Sequence, residues 1–329
     1  MPNENALLQI EHLKKSYFLK KGVMADKTRA VHAVDDVSLT IPRFLAIGLV
    51  GESGCGKSTL GKTILRLTDP SGGRVTFRDT VLFDVEQNVE LPAKEMRALR
   101  KEMAMIFQDP YSSLNPHMSI GEAVREGVHQ HGIVPKGEEE NYCREILQSC
   151  GLEGNAYFRY PNEFSGGQRQ RAVIARALAL QPKFVVCDEA TAALDVSIQS
   201  QILNLMLDLR EKWQLTYLFI SHNLEVTRAF CDEIAVMYLG KIVEQGPAEE
   251  VFSRSLHPYT RALIASLPIS EPGEQRRDRQ LLSSIPSMMN IPTGCRFHPR
   301  CPYATERCRS EEPEMKECGC GHFAACHLL

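Results

Sequence analysis

Short apolar runs that no charged residue interrupts recur along the chain. Phe184 to Cys187 and Thr216 to Ser221 are two of them. A continuous run of this length is typical of a strand that is buried on both faces of a parallel sheet. Phe44 to Val50 and Met103 to Phe107 are two further runs. The pattern therefore predicts that a buried parallel sheet forms the centre of the fold.

Other stretches predict helices and hairpins. The predicted helices are Lys57 to Leu67, Glu138 to Cys150, Ser165 to Leu180, Gln199 to Lys212 and Pro258 to Leu267, and the whole stretch 119–164 has helical character. The other predicted strands are Leu7 to Leu13, Val31 to Ile41, Arg74 to Phe77, Ile234 to Tyr238 and Lys241 to Glu244. The polar residues Lys14 to Arg29 and the pair Leu239-Gly240 are interpreted as hairpin turns. Strands and helices mixed in this way predict an α/β fold.

Length and charge narrow the class of protein. A chain of 329 residues predicts about two domains, or one large domain with an appendage. The net charge of −3 gives no reason to expect nucleic-acid binding. Residues 1–9 lack the pattern of a signal peptide, and no apolar stretch approaches the ~20 residues that cross a bilayer. We therefore expect a soluble chain, or one held at a membrane through protein contacts, with a polar linker at 268–290.

A glycine-rich segment follows the run that ends at Val50. It has the form G-x-x-x-x-G-K-[ST], in which backbone N–H groups and the start of the next helix face a phosphate. We expect Lys57 to reach the β- and γ-phosphates of a nucleotide and Ser58 to bind Mg²⁺. The predicted phosphate-binding residues are Gly51, Ser53, Gly54, Gly56, Lys57, Ser58 and Thr59.

Two further segments carry candidate chemistry. Asp188 and Glu189 follow a buried strand, where Asp188 is expected to hold Mg²⁺ and Glu189 to act as the general base on water. Ser165, Gly166, Gly167 and Gln168 open a predicted helix, whose exposed N–H groups form a second anion site. The alternative for this second segment is an ordinary serine-capped helix.

Four motifs follow one another in the order that is typical of the ATP-binding cassette (ABC) ATPases. They are the phosphate loop, the Ser165–Gln168 segment, the acidic pair Asp188-Glu189 and the downstream Ser221-His222. The chain resembles this family over about residues 5 to 255. The resemblance implies a P-loop ATPase with a RecA-like core, an antiparallel β subdomain and a helical subdomain at about 110–180, which uses ATP and Mg²⁺. It also implies that two cassettes stack head to tail, with each ATP between one phosphate loop and the other cassette's signature helix.

Individual roles follow from this resemblance by matching position. Gln108 is implied to contact Mg²⁺ and the attacking water, and His222 to sense the γ-phosphate. Tyr17 is implied to stack on adenine, although Phe18 is an adjacent competitor and a core tyrosine is the alternative. The implied contacts to the γ-phosphate of the opposite cassette are Ser165, Gly167 and Gln168, with Gly166 in the same nucleotide-binding segment, and Asp195 lies in the implied dimer-contact loop.

Three positions depart from the family pattern. Phe44-Leu45 replaces the usual Gly-Glu turn. Residues 190–192 replace a segment with Pro and Ser, and Asn223 replaces the Asp that usually follows the histidine. None of these changes removes a catalytic group.

Segments outside the cassette motifs resemble one branch of the family, the dipeptide/oligopeptide importers, which also includes nickel and sugar relatives. They are Gln108 to Pro116, Tyr160 to Phe164 and Leu256 to Leu263. The resemblance implies that Gln108 to Pro116 forms the groove for a permease coupling helix, although a capped turn accounts for it equally well. It further implies a distinct second ATPase subunit, two permease subunits, an indirect substrate-binding protein, and a place at the cytoplasmic face of a bacterial or archaeal membrane.

Two other classes of function remain as alternatives. One is a soluble ABC ATPase that acts on nucleic acid or ribosomes, which the single cassette and the lack of a heptad repeat disfavour. The other is a redox sensor without ATPase activity, which the intact phosphate loop and acidic pair disfavour.

Cysteines are crowded near the carboxyl end, within an extension expected at 256–329 that is cysteine-rich from about 285. Four thiolates can hold an iron–sulfur cluster or a tetrahedral zinc ion, and a cytosolic ATPase is not expected to carry disulfides. The predicted ligands are Cys295, Cys301, Cys308 and Cys326, with [4Fe–4S] favoured over Zn²⁺ by the resemblance. The alternatives are Cys318 or Cys320 as fourth ligand, His298, His322 or His327 as substitutes at a zinc site, and free cysteines without metal.

Overall fold

The structure is a computed structural model that describes residues 5–18, 30–192, 194–267 and 286–329. The chain divides into two compact units. The first comprises 1–41, 46–90 and 220–329, and the second comprises 42–45 and 91–219.

The strands and helices follow in chain order. The strands are β1 (Ala6–Phe18), β2 (Ala30–Pro42), β3 (Ala46–Val50), β4 (Gly72–Phe77), β5 (Thr80–Asp84), β6 (Val89–Glu90), β7 (Met103–Ile106), β8 (Phe184–Asp188), β9 (Thr216–Ser221), β10 (Glu233–Tyr238), β11 (Lys241–Pro247), β12 (Lys316–Glu317) and β13 (Phe323–Ala324). The helices are α1 (Lys57–Ile64), α2 (Ala93–Leu99), α3 (Pro110–Ser113), α4 (Ile120–His131), α5 (Glu139–Ser149), α6 (Gly166–Leu178), α7 (Val196–Trp213), α8 (Leu224–Phe230), α9 (Ala248–Ser253), α10 (Pro258–Ala265) and α11 (Glu306–Ser310).

The first unit contains two groups of strands. An antiparallel sheet has the order β2-β1-β4-β5-β6, and Leu8 of β1 lies opposite Phe77 of β4. The other group has the order β12-β13-β11-β10-β3, in which β10 runs parallel to β3 and antiparallel to β11. All five residues of β3 are buried, as expected for a strand covered on both faces.

The carboxy-terminal extension shares the core of the first unit. Tyr259 and Phe297 are buried in one apolar cluster with Val50 of β3 and with Tyr238 of β10. The ring of Phe297 lies 5.5 Å from that of Tyr238 and 5.4 Å from that of Tyr259, between centroids. Such aromatic contacts add to the stabilisation that burial provides.

The second unit combines strands with a group of helices. Strand β7 runs parallel to β8, with Met103 opposite Phe184 and Ile106 opposite Cys187. Helices α4, α5 and α6 contact one another. The capping box of α4 pairs Ser119 with Glu122, and the left-handed Gly132 ends this helix.

Most of the predicted elements appear, with changes at their ends. The predicted turn Lys14 to Arg29 is wrong over its first residues, because Lys14 pairs with Gly72 and β1 continues to Phe18. The rest of that turn and residues 268–285 of the predicted linker lie outside the described residues. Strands β5, β6, β12 and β13 were not predicted. Among the described helices, none combines the length and apolar character needed to cross a bilayer.

Candidate nucleotide-binding and catalytic site

The phosphate loop lies between β3 and α1 and depends on its glycines. Gly51, Gly54 and Gly56 have φ angles of 152°, 78° and 111°, a region that disfavours other residues. A side chain at Gly56 would collide with the carbonyl oxygen of Ala33. Within the described residues, no side chain caps the first turn of α1. Its N–H groups are thus left without a side-chain cap in a loop suited to an anion.

Lys57 is folded back over this loop. Its side-chain Nζ donates hydrogen bonds to the carbonyl oxygens of Gly51, at 2.7 Å, and of Glu52, at 3.1 Å. The residue is only 5% exposed, so its ammonium group stays next to the loop backbone. Ser58 is the next residue of α1. A lysine and a serine thus open α1 directly after the glycine-rich loop, the order that a P-loop requires.

In the second unit, the structure brings Gln108 and Glu189 together. Because β7 and β8 are parallel and in register, both residues follow the same end of neighbouring strands. The Gln108 side-chain Nε2 donates to Glu189 Oε2 at 2.9 Å. Asp188, the last residue of β8, is 5% exposed, and Glu189 has a left-handed φ of 49°. A strained backbone at a carboxylate is common in active sites.

The Ser165–Gln168 segment forms the amino terminus of α6. Ser165 Oγ accepts a hydrogen bond from the Gln168 N–H at 3.3 Å, and Gln168 Oε1 accepts one from the Ser165 N–H at 3.1 Å. This reciprocal pair is a capping box, so the chain alone forms the serine-capped helix that was the alternative interpretation. Gly167 packs closely, since an added Cβ would lie 2.6 Å from Ile198 Cγ2 of α7.

Asp195 and Asn223 are also helix caps. Asp195 begins α7, where it accepts hydrogen bonds from the Ile198 N–H at 2.9 Å and from Ser197 Oγ at 2.7 Å. The Ile198 N–H is the main reason that the pKa of Asp195 is lowered. Asn223 accepts from the Val226 N–H at 3.2 Å and begins α8 directly after the exposed His222. The departure from Asp to Asn at 223 therefore keeps the cap.

The aromatic candidates lie at the end of β1. Tyr17 is 42% exposed and Phe18 is 61% exposed. The Lys15 ammonium lies 4.8 Å from the centre of the Tyr17 ring. An exposed ring can stack on a base, and the exposure argues against the core-tyrosine alternative for Tyr17.

The turn before β3 adopts an unusual conformation that accommodates the departure there. Phe44 has a φ of 66°, a value that glycine adopts more easily. Its N–H donates to Thr216 Oγ1 at 2.8 Å, and its carbonyl oxygen accepts two hydrogen bonds from Arg210. These contacts stabilise the turn at Phe44-Leu45.

The segment Gln108 to Pro116 contains a short capped helix. Asp109 accepts a hydrogen bond from the Tyr111 N–H at 2.9 Å, and Tyr111 is 65% exposed. The Arg169 guanidinium lies 4.2 Å from the centre of the Tyr111 ring. The capped turn is therefore present, and it presents an aromatic ring to solvent.

The four predicted cysteine ligands influence one another. Burial is the main reason that the pKa of Cys295 is raised to about 11, and the neighbouring thiols of Cys308, Cys326 and Cys301 contribute to this rise. Cys318 and Cys320 are exposed. The residue types suit a metal, but within the described part of the chain no three His, Cys, Asp or Glu side chains are arranged to hold one. The structure thus lacks a formed metal site for the predicted [4Fe–4S] cluster or Zn²⁺.

The phosphate loop has two contact residues that the sequence analysis did not connect with the nucleotide site. Arg300 and Tyr259, both in the carboxy-terminal extension, hydrogen bond to Glu52. The loop motif spans nine consecutive residues and carries no signal for partners so distant in the sequence.

The loop and the acidic strand end, on an α/β fold, define a P-loop nucleotide-binding protein. Residues 34–192 match the family model described as ABC transporter, and residues 243–308 match the oligopeptide/dipeptide transporter C-terminal region. The probable peptide ABC transporter ATP-binding protein y4tS of Sinorhizobium fredii is 44% identical, covering 98% of this chain and 90% of its own. The oligopeptide transport ATP-binding protein AppF of Bacillus subtilis is 42% identical, covering 99% and 98%.

A solved structure agrees with these relatives. The dimeric post-hydrolysis state of the ATP-binding cassette MJ0796, bound to ADP and Pi, is 27% identical with a TM-score of 0.62, covering 73% of this chain and 98% of that one. The chain therefore belongs to the ABC transporter family and is an ATP hydrolase of that family. The predicted ABC-type α/β fold is confirmed.

Proposed function

We propose that this chain is the ATP-hydrolysing subunit of a bacterial importer that takes up dipeptides or oligopeptides. The observation that carries the proposal is the match of residues 243–308 to the oligopeptide/dipeptide transporter C-terminal region, which lies outside the cassette match at 34–192. The peptide and oligopeptide transport names of y4tS and AppF support it. A nickel or sugar importer of the same branch is the alternative.

Uptake by cells tests this proposal. A strain that lacks the gene should lose uptake of labelled dipeptides or oligopeptides and keep uptake of nickel and sugars. The wild-type gene should restore peptide uptake, and a gene carrying Glu189→Gln should not. Unchanged peptide uptake together with lost nickel or sugar uptake would replace the proposal by its alternative.

The proposed residue roles follow the family pattern. Lys57 and its loop would hold the β- and γ-phosphates, and Mg²⁺ would be held by Ser58, Asp188 and Gln108. Glu189 would act as the base, and His222 would contact the γ-phosphate. Tyr17 would stack on adenine, and a second cassette would be met by Ser165–Gln168 and Asp195. The Gln108–Glu189 hydrogen bond supports this assignment, because the base and its neighbour are already aligned. Positioning and charge neutralisation would carry the catalysis.

The proposed partners are a distinct second ATPase subunit, two permease subunits and, indirectly, a substrate-binding protein. The chain would then lie at the cytoplasmic face of the membrane, and its cassette domain would span about 5–255 with the extension at 256–329. Purification of a tagged chain from detergent-treated membranes should bring down two membrane proteins and a second ATPase. Recovery of ribosomes, or of the chain alone, would contradict this assembly.

We also propose that Cys295, Cys301, Cys308 and Cys326 bind metal, as a [4Fe–4S] cluster or as Zn²⁺. Burial supports this set over Cys318 and Cys320, because Cys308 and Cys326 are buried whereas Cys318 and Cys320 are exposed. Anaerobically purified protein should contain about four iron and four sulfide per chain for the cluster, or about one zinc. Cys301→Ser should remove the metal and Cys318→Ser should not, whereas wild-type protein without iron or zinc would refute the site.

A further inference from the structure

The carboxy-terminal extension forms hydrogen bonds with the phosphate loop at Glu52, the second residue of the glycine-rich motif. Arg300 donates from Nη1 to Glu52 Oε2 at 2.8 Å and from Nη2 to Glu52 Oε1 at 2.9 Å. The Arg300 side chain is 3% exposed and that of Glu52 is 17% exposed. A two-point pair of this kind fixes both the position and the plane of the carboxylate, which a single contact does not.

A second contact reaches the backbone of the same residue. The Glu52 N–H donates to the hydroxyl oxygen of Tyr259 at 2.9 Å. The extension therefore holds both the peptide group and the side chain of Glu52. Because these contacts restrain the backbone as well as the side chain, a rotation of the Glu52 peptide would break at least one of them.

The two holding residues are themselves fixed. Phe297 is 1% exposed, and its ring contacts the rings of both Tyr238 and Tyr259, which also contact each other. The Arg300 N–H donates to the Phe297 carbonyl oxygen at 2.9 Å, and Arg300 Nη1 also lies 3.4 Å from Tyr238 Oη. Side chains held in a packed cluster lose little further freedom when they position another group.

The contacts at Glu52 also bear on the position of the Lys57 ammonium group. Lys57 Nζ donates to the carbonyl oxygen of Glu52 at 3.1 Å as well as to that of Gly51. A shift of the Glu52 peptide would therefore move an acceptor that keeps the Lys57 ammonium in place. Small displacements of positioning groups reduce binding and rate because the charge no longer meets the phosphate oxygens.

We propose that Arg300 and Tyr259 are positioning residues for the phosphate loop, through which the carboxy-terminal extension sets the affinity for ATP. They act through Glu52 on Lys57 and do not themselves touch the nucleotide. The inference rests on the proposed role of Gly51–Thr59 as the phosphate-binding loop.

Two conservative substitutions test it in the full chain. Tyr259→Phe removes only the hydroxyl that accepts from the Glu52 N–H, and Arg300→Gln removes the two-point pair. Matched controls in the same extension are Tyr303→Phe, at a ring that is 56% exposed, and Arg307→Gln, whose partner is Glu311. Dissociation constants for trinitrophenyl-ATP and the KM for ATP are measured well below each variant's melting temperature, which is recorded in parallel.

We expect the two test variants to raise the dissociation constant and the KM about fivefold or more, with the controls unchanged. The double variant Glu52→Gln/Arg300→Gln should have a dissociation constant no higher than that of the single variant with the lower affinity, because both substitutions break the same ion pair. If the test variants lower the melting temperature but leave nucleotide affinity and KM at wild-type values, the extension only stabilises the fold and the inference is refuted. If Arg300→Gln does not fold, Tyr259→Phe still decides.

One further variant separates this inference from the proposed function. Lys57→Ala should abolish high-affinity ATP binding if Gly51–Thr59 holds the phosphates. Wild-type affinity in that variant would overturn the role of the loop itself. Lost affinity in Lys57→Ala with normal affinity in both test variants would overturn only the positioning role of the extension.

Discussion

His257 makes the stability of the first unit depend on pH. It begins α10, where its Nδ1 accepts a hydrogen bond from the Tyr259 N–H at 3.0 Å, and it is 1% exposed. Burial, and to a lesser extent the Arg261 cation, lowers its pKa to about 3. An accepting ring nitrogen cannot carry a proton, so the folded state requires the neutral imidazole.

The size of the effect follows from proton linkage. An unfolded histidine has a pKa of about 6.5, so between about pH 6.5 and 3 His257 binds about one proton in the unfolded chain and almost none in the folded chain. A folded-state pKa below the unfolded value means that stability is lost as the pH falls, by ~1.4 kcal/mol per pH unit in this window. From about pH 7 to about pH 5, the free energy of unfolding should fall by ~2 kcal/mol on account of His257.

Urea unfolding of the wild type and of His257→Asn at these two pH values measures this term. Asparagine keeps a cap acceptor for the Tyr259 N–H but does not titrate. The wild type should lose ~2 kcal/mol more than the variant between the two pH values. Equal losses in both proteins would refute the reasoning, because they would show that His257 takes up no extra proton on unfolding.

Two further substitutions test the packing described above. Phe297→Ala should reduce the free energy of unfolding by ~3–5 kcal/mol, as for other buried aromatic residues. The control Tyr303→Ala should change it by less than ~0.5 kcal/mol. A small loss of the same size in both variants would mean that the extension does not pack on the core. Gly167→Ala should lower the free energy of unfolding by ~1–3 kcal/mol, because the added methyl group would clash with Ile198. The control Gly166→Ala should not destabilise the protein, since the nearest neighbour of the added methyl group would be 3.6 Å away. Equal urea midpoints for the two variants would contradict the close packing of α6 on α7.

Local patterns in the sequence predicted much of the fold. The apolar runs at 184–187 and 216–221 became β8 and β9 within one residue, because a strand buried on both faces needs apolar side chains at every position. The cap residues Ser165 and Gln168 likewise mark the start of α6, since a capping box is written in four consecutive residues.

Contacts between distant segments could not be predicted in this way. Glu52 and Arg300 are 248 positions apart, and no spacing rule connects them. The strands β12 and β13 contain two residues each, too few for any alternation to show. Phe44 adopts a left-handed conformation that its residue type disfavours, because the hydrogen bond that its N–H donates to Thr216 and those that its carbonyl oxygen accepts from Arg210 outweigh the local preference.

Hydrolysis of ATP by Glu189→Gln tests the central claim most directly. The substitution keeps the shape of the side chain and removes the base that the account assigns. Purified variant and wild type are compared for trinitrophenyl-ATP binding and for single-turnover release of phosphate. The account predicts that the variant binds ATP with wild-type affinity and hydrolyses it about 10²- to 10⁴-fold more slowly. Hydrolysis at the wild-type rate would contradict it.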